Sequence, residues 1–452
     1  MIVYEAKLEG IDSQYRKLDE ALRAGLFVRN ACLRYWIDGH AKTRNDLSAY
    51  CKVLSDHPDF PWVKKLNSMA RQAMSERTWA AISRFFDNCK AKKSGNEAKK
   101  RKRGEASIED PIGPQINQGA LSLPSFSQAK CGKKGYPQFK RLQTNVSVEY
   151  KTSGWKLSED RRFITFTDGF EAGQFKMWGT RDLHFYQISQ IKRVRVVRRA
   201  DGYYAQFCID HDRKENREPT RKTVGVDVGL KHFYTDSDGL QVANPRHLRK
   251  SEKSLKRFQR RMSKTQKGSK NRVKFRNKLA RKHLKVSRQR KDFAIKTARC
   301  VVMSNDLVAY EDLKVRNMVR NRHLAKSISD AAWTQFREWV EYFGKVYGVV
   351  TVAVPPHYTS QNCSNCGQVV KKTLSTRTHI CPHCGHIQDR DHNAARNILE
   401  KALRTAGHVG TNASGENDLC LGDENPPSKP THRKRKPKEQ SLESPAIPGT
   451  PG

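Results

Sequence analysis

The sequence predicts a multidomain protein of mixed class, an α+β assembly followed by an α/β domain. Three observations carry this. Apolar residues at helical spacing give way near Gly119 to short alternating segments, a strand–turn–strand pattern opens a third region at Arg221, and two C-x-x-C pairs stand near its end. At 452 residues the chain can bury more than one core.

A short strand, Ile2 to Ala6, precedes a helical stretch from about Ile11 to Lys93. Tyr15, Leu18, Leu22, Val28, Cys32 and Trp36 recur at helical spacing, and Trp62, Leu66, Met69, Ala73, Trp79, Ile82 and Phe86 continue the pattern. KAKKSGNEAKKRKRGEAS then reads as an exposed linker, whose Lys99–Arg103 cluster suits phosphate contact better than nuclear import. NVSVEY, RRFITFT, FKMW and KRVRVVRRADGYYAQFCI read as strands of a small barrel, with Asp201-Gly202 as a hairpin turn. Arg193 and Arg195 alternate with Val194 and Val196, giving one buried and one basic face. The pattern fits a grip on a phosphate backbone and a merely solvated face equally well.

In the third region TVGVDVGLKHFYTDSDG reads as a strand, a Gly turn and a return strand. A basic helical hairpin follows from Arg246 to Arg299, broken near Gly268. Leu248, Leu255, Phe258 and Met262 stripe its first arm, and Phe275, Leu279, Val286 and Phe293 its second. Few acids neutralise its other face, which favours contact with phosphates. Then come a strand (Leu307 to Glu311), a helix from about Asp330 to Tyr347 capped by Ser329 or Asp330, the strand GVVTVAV, the cysteine block and a helix NAARNILEKAL. Beyond Thr405 the Pro-, Ser-, Gly- and Lys-rich composition predicts a disordered tail.

Lys and Arg number 87 against 46 Asp and Glu, a formal net charge of +41, so a polyanion is the expected partner. No apolar run is long enough to span a bilayer, and the N-terminus lacks the basic and apolar regions of a signal peptide. The eleven cysteines are therefore expected to be reduced or metal-bound. Cys363, Cys366, Cys381 and Cys384 form two complete knuckles, a closed tetrahedral site for one structural zinc. His357, His379, His383, His386 and His392 lie nearby, but four thiolates suffice.

Asp227 lies in a strand-like run of Val and Gly where Asp is disfavoured, Glu311 ends an apolar strand, and Asp391 stands at a helix entrance. Singly, each has a structural reading: support of the Gly turn, pairing with a Lys, and an N-cap. Together, strand–Gly turn–strand, helix, acidic strand and acidic helix follow the element order of an RNase H-like domain. Three converging carboxylates need cations, and two divalent ions about 4 Å apart would both neutralise them and catalyse phosphodiester hydrolysis. Hard oxygen ligands favour magnesium, with manganese as a substitute.

GVDVG, AYEDL, NPRHLRK, SISDAAW, CSNCG…STRTHICPHCG and DRDHNAARNI resemble the TnpB (OrfB-family) proteins of insertion sequences, relatives of the type V CRISPR effectors. The resemblance spans roughly residues 1 to 404. It implies a wedge-type β-barrel (1–10 and 116–220) interrupted by a helical recognition domain (11–115). A RuvC-like nuclease domain (221–404) with a zinc ribbon (357–388) follows, then the tail (405–452). Asp227, Glu311 and Asp391 match the catalytic positions, with Asp389 the weaker candidate for the third. Cys363, Cys366, Cys381 and Cys384 match the zinc ligands, and Arg377 falls where the family carries an arginine near the active site, suited to the scissile phosphate.

The same resemblance implies a cytoplasmic prokaryotic protein, monomeric or dimeric on one transposon-encoded guide RNA. It would cut target double-stranded DNA beside a short motif that the protein reads. The competing readings are a compact type V CRISPR effector and a nuclease-dead, RNA-guided repressor. The presence of all three acids argues against the repressor.

Overall fold

Alternate burial along Ile2–Glu9 puts Ile2, Tyr4, Ala6 and Leu8 inside and leaves Val3 and Lys7 outside. In the computed structural model this strand, β1, is the middle of a seven-stranded antiparallel sheet. The structure describes residues 1–102, 135–141, 146–179, 182–373 and 376–410, with backbone alone at 92–102 and 406–410. Arg103 and the chain beyond 410 lie outside the described residues, as do Cys131 and Cys420. The chain divides into two units, Met1–Ala402 and Leu403–Gly452; in the second, residues 403–410 are described, as helix.

After β1 come α1 (Asp12–Ile37), α2 (Arg44–Asp56), α3 (Pro61–Lys65) and α4 (Ser68–Lys102). The sheet resumes with β2 (Ser147–Tyr150), β3 (Trp155–Leu157), β4 (Phe163–Phe166), β5 (Gly173–Trp178), β6 (Ile191–Arg199) and β7 (Gly202–Ile209). The strand order is β2-β6-β7-β1-β5-β4-β3. The helices are thus an insertion between two strands of one curled sheet. Trp155, Phe166, Phe175 and Phe207 fill its inner face, where Leu18 and Leu22 of α1 dock. Further along, α1 packs Val28, Cys32 and Trp36 against α2 and α4.

Two expectations are corrected here. The stretch read as a linker is helical as far as Lys102, because its Lys, Ala and Glu are good helix formers and one glycine does not break them. The basic face of β6 is neither free nor merely solvated. Arg193 and Arg195 donate to the buried Glu149 of β2 at 2.7 Å each. Burial alone would raise the Glu149 pKa, but the two guanidinium groups hold it below the usual range.

The third region contains β8 (Thr223–Val228), β9 (His232–Asp236), β10 (Gln241–Ala243), α5 (His247–Lys264), α6 (Lys270–Met303) and β11 (Leu307–Glu311). Next are α7 (Val315–Met318), α8 (Ala325–Ala331), α9 (Trp333–Tyr347), β12 (Val350–Val354), the ribbon strands β13 (Thr378–Ile380) and β14 (Ile387–Asp389), and α10 (Arg390–Gly410). The sheet order is β10-β9-β8-β11-β12; β8, β11 and β12 run parallel. Val224, Val226, Val308 and Tyr310 face a core shared with α6 and α9. Period two then turns Gly225, Asp227, Ala309 and Glu311 to the opposite face.

On that face α10 rests on β8. A Cβ at Gly225 would lie 2.2 Å from the Ala395 carbonyl oxygen and 2.7 Å from the Leu399 nitrogen, so only glycine admits this approach. Both atoms are backbone and cannot yield locally. Gly225→Ala is expected to destabilise the domain by about 3 kcal/mol or more, read as a lowered denaturation midpoint. An unchanged midpoint would mean that α10 does not sit on β8.

The helical hairpin α5–α6 forms as expected, with Gly268 at φ +89° in its turn. Part of its basic face is engaged: Arg288 pairs with Asp201 at 2.6 Å and Arg281 donates to the Ala200 carbonyl, docking α6 on the β6–β7 turn. The helix expected from Asp330 to Tyr347 is split, because Ala332 is left-handed (φ +59°) and ends α8. Asp330 caps a different helix. Its carboxylate accepts from Leu248 N at 2.9 Å and Arg249 N at 3.4 Å, filling the place of the side-chain cap that α5 lacks. The last helix also runs past Thr405 to Gly410.

Candidate active site and metal centre

Parallel pairing of β8 with β11 sets Tyr310 opposite Val226, so Asp227 and Glu311 follow as the next step of two adjacent strands. Asp391, in the first turn of α10, has its carboxylate beside Gly229 at the end of β8. Three acids distant in sequence thereby share one edge of the sheet. Loss of water around Asp227 raises its pKa well above the usual range, and the charges of Glu311 and Asp391 add to the rise. Glu311 is likewise raised by burial, against a hydrogen bond from Thr359 and the charge of Lys401.

Asp391 is offset by two guanidinium groups. Arg390 donates to Oδ1 from Nε at 3.0 Å and Nη2 at 2.9 Å, while Arg377 Nη1 stands 3.6 Å from Oδ2. Arg377 is half exposed and borders a cleft of about 490 Å³ whose walls also carry Lys231, Arg246, Arg249 and Lys326. Asp389 plays a different part. Its Oδ1 accepts from the Asp391 and His392 amides and caps α10. The N-cap reading thus belongs to Asp389, and the side chain of Asp391 faces the other acids.

The four cysteines meet. Their sulfurs lie within 4.8 Å of one another, with Cys363–Cys384 at 3.7 Å and Cys366–Cys381 at 3.6 Å. A tetrahedral zinc with bonds of ~2.3 Å needs sulfur–sulfur edges of about 3.8 Å, so the donor set fits that ion. Two matching turns build the site. Gly367 and Gly385 donate to the carbonyls of Cys363 and Cys381 at 2.9 Å, and both adopt positive φ. Among the described residues no other group of His, Cys, Asp and Glu is drawn as close. The three carboxylates are not drawn that close, and their hard oxygens are of the kind that suits magnesium.

The histidines do not join the sulfurs. His392 bridges the Gln388 side chain and the Ser237 carbonyl, and His386 contacts Gln388. Sequence reasoning missed several residues that join the two centres. Arg390 is one. Thr359 is another: its hydroxyl donates to Glu311 Oε1 at 2.5 Å. Asn393 and Asn397 of α10, both buried, hold the first knuckle through the Asn362 carbonyl at 2.8 Å. Asn is poorly suited to a helix interior, and two of them four residues apart were the available signal.

A strongly basic chain with three acids gathered at the strand ends beside a four-thiolate cluster has the features expected of a protein that acts on a polyanion. Residues 206–322 match the OrfB_IS605 family model, described as "Probable transposase", and residues 333–398 match the Cas12f1-like TNB domain. A relative from Streptomyces pristinaespiralis, named as an RNA-guided DNA endonuclease, is 34% identical over 62% of this chain and 68% of its own. InsQ of Escherichia coli K12, similarly named, is 29% identical over 61% and 70%. A solved Cas12f1–sgRNA–target DNA complex covers 86% of this chain and 83% of that one, with TM-score 0.44 and 15% identity. The chain belongs to the TnpB-like OrfB family of RNA-guided DNA endonucleases. No helix among the described residues is long and apolar enough to cross a membrane.

Proposed function

We propose that this protein is an RNA-guided DNA endonuclease whose active site is Asp227, Glu311 and Asp391. The observation that carries the reading is the convergence of these acids from two adjacent parallel strands and a crossing helix, the arrangement of an RNase H-like (RuvC) centre. The three carboxylates would hold two magnesium ions, which when bound activate a water for attack on phosphorus and stabilise the departing 3′ oxygen. Arg377, beside Asp391 and open to the basic cleft, suits a scissile phosphate. The four thiolates would hold one structural zinc. The first sheet and its inserted helices suit the roles of wedge and recognition domains for a guide RNA from a transposon end. Pairing between guide and target then supplies sequence recognition.

Sequencing the RNA that copurifies with the expressed protein tests this reading. A discrete species carrying the transposon end is expected; recovery of only bulk cellular RNA would defeat guidance. The match to the Cas12f1-like domain favours one further reading, a compact CRISPR effector. In that case the bound RNA would carry a repeat in place of a transposon end.

A further inference from the structure

The turn between β12 and the first knuckle contains a strained residue. Tyr358 is left-handed (φ +62°) and 60% exposed, a conformation a bulky side chain adopts only when its surroundings impose it. Its carbonyl accepts from Gln361 N at 3.1 Å and Asn362 N at 2.9 Å, closing a tight loop. The next residue, Thr359, is buried, and its hydroxyl donates to Glu311 Oε1. Asn397 donates from one amide group to the Thr359 and Asn362 carbonyls, at 2.8 Å each. Asn393 grips both sides of Cys363, donating to the Asn362 carbonyl and accepting from Ser364 N at 2.9 Å. The helix that carries Asp391 therefore holds the loop, and the loop holds Glu311.

We infer that Thr359 is a positioning residue for the reaction, resting on the reading of Glu311 as a metal-binding carboxylate. Glu311 has a flexible side chain among like charges and would otherwise turn away from Asp227. The Thr359 hydroxyl ties down one of its oxygens and so fixes the direction in which the carboxylate points. Asn393 and Asn397 fix the distance between this tether and Asp391, so the second and third acids move as one piece. The cysteine knuckle at Cys363 anchors the far end of the same loop.

The test compares Thr359→Val, which keeps the shape and removes the hydroxyl, with Thr359→Ser, which keeps the hydroxyl. Manganese binding is measured by electron paramagnetic resonance on the purified protein–RNA complex, and cleavage is measured across a magnesium titration. Thr359→Val is expected to weaken manganese binding and raise the magnesium requirement roughly 10- to 100-fold, with zinc content and guided DNA binding unchanged. Thr359→Ser is expected to restore both. Wild-type metal dependence in Thr359→Val would overturn the inference. So would failure of Thr359→Ser to rescue, or loss of zinc from Thr359→Val, which would make the residue purely structural. If Asp227→Ala cut as well as wild type, the assignment of the active site would fall instead, a result distinct from any of these.

Discussion

Asp227→Ala is expected to eliminate DNA cleavage while leaving guide RNA and target binding intact. A metal-held transition state is worth several kcal/mol of charge stabilisation, so losing this central ligand should cost on the order of 10³-fold or more in rate. Undiminished cutting would remove the proposed site. The same residue makes a prediction about stability. Asp227 has its folded-state pKa raised by lost hydration and by Glu311 and Asp391, so the folded chain retains a proton that the unfolded chain releases. Its contribution is full below the usual carboxylate range and is lost as pH rises through the folded value. Asp227→Asn escapes that loss. In magnesium-free, zinc-replete buffer at neutral pH it should melt above the wild type, and a lower melting temperature would show that the acids do not strain the fold.

Cys381→Ser should release the metal and loosen everything the ribbon holds. The segment has little apolar core of its own: Val369, Ile380 and Ile387 are exposed, so a bound ion would substitute for a core. Mass spectrometry should find one zinc per wild-type chain and much less in the variant. Limited proteolysis should open the 357–388 segment, and cleavage should fall because Asn393 and Asn397 lose the knuckle they grip, and with it the loop that carries Thr359. A wild-type protein purified without zinc would sink the four-thiolate assignment.

Much of this site was legible in the chain because its chemistry is local. C-x-x-C-G puts two thiols and a positive-φ glycine in one turn, and two such turns need only be brought together. Asp227 stands out because it interrupts an apolar strand, and Glu311 because it ends one, places where a carboxylate is costly. The DRDHNAA motif was harder. Resemblance to the family favours Asp391 over Asp389, and the structure adds that Asp389 accepts from the amides of the first turn as the helix cap.

Long-range partners were invisible. Asp330 looked like the cap of its own helix, yet it caps α5, where the Leu248 amide it accepts from lies 82 residues away by sequence. Arg193 and Arg195 looked like an open basic face, but Glu149 from a separate strand claims them. Charge pattern gives the sign of a face, while the partner depends on which strands pair.

By itself the sequence determined most of the element types, the thiolate knuckles, the strong positive charge and the three unusual acids, because propensity, periodicity and ligand spacing act over a few residues. Tertiary structure alone decided that α10 rests on Gly225, which brings Asp391 to the sheet edge. It also decided that Thr359 reaches Glu311, 48 residues before it in the chain. Both outcomes depend on close approach between segments well separated along the chain, and no local pattern encodes that approach.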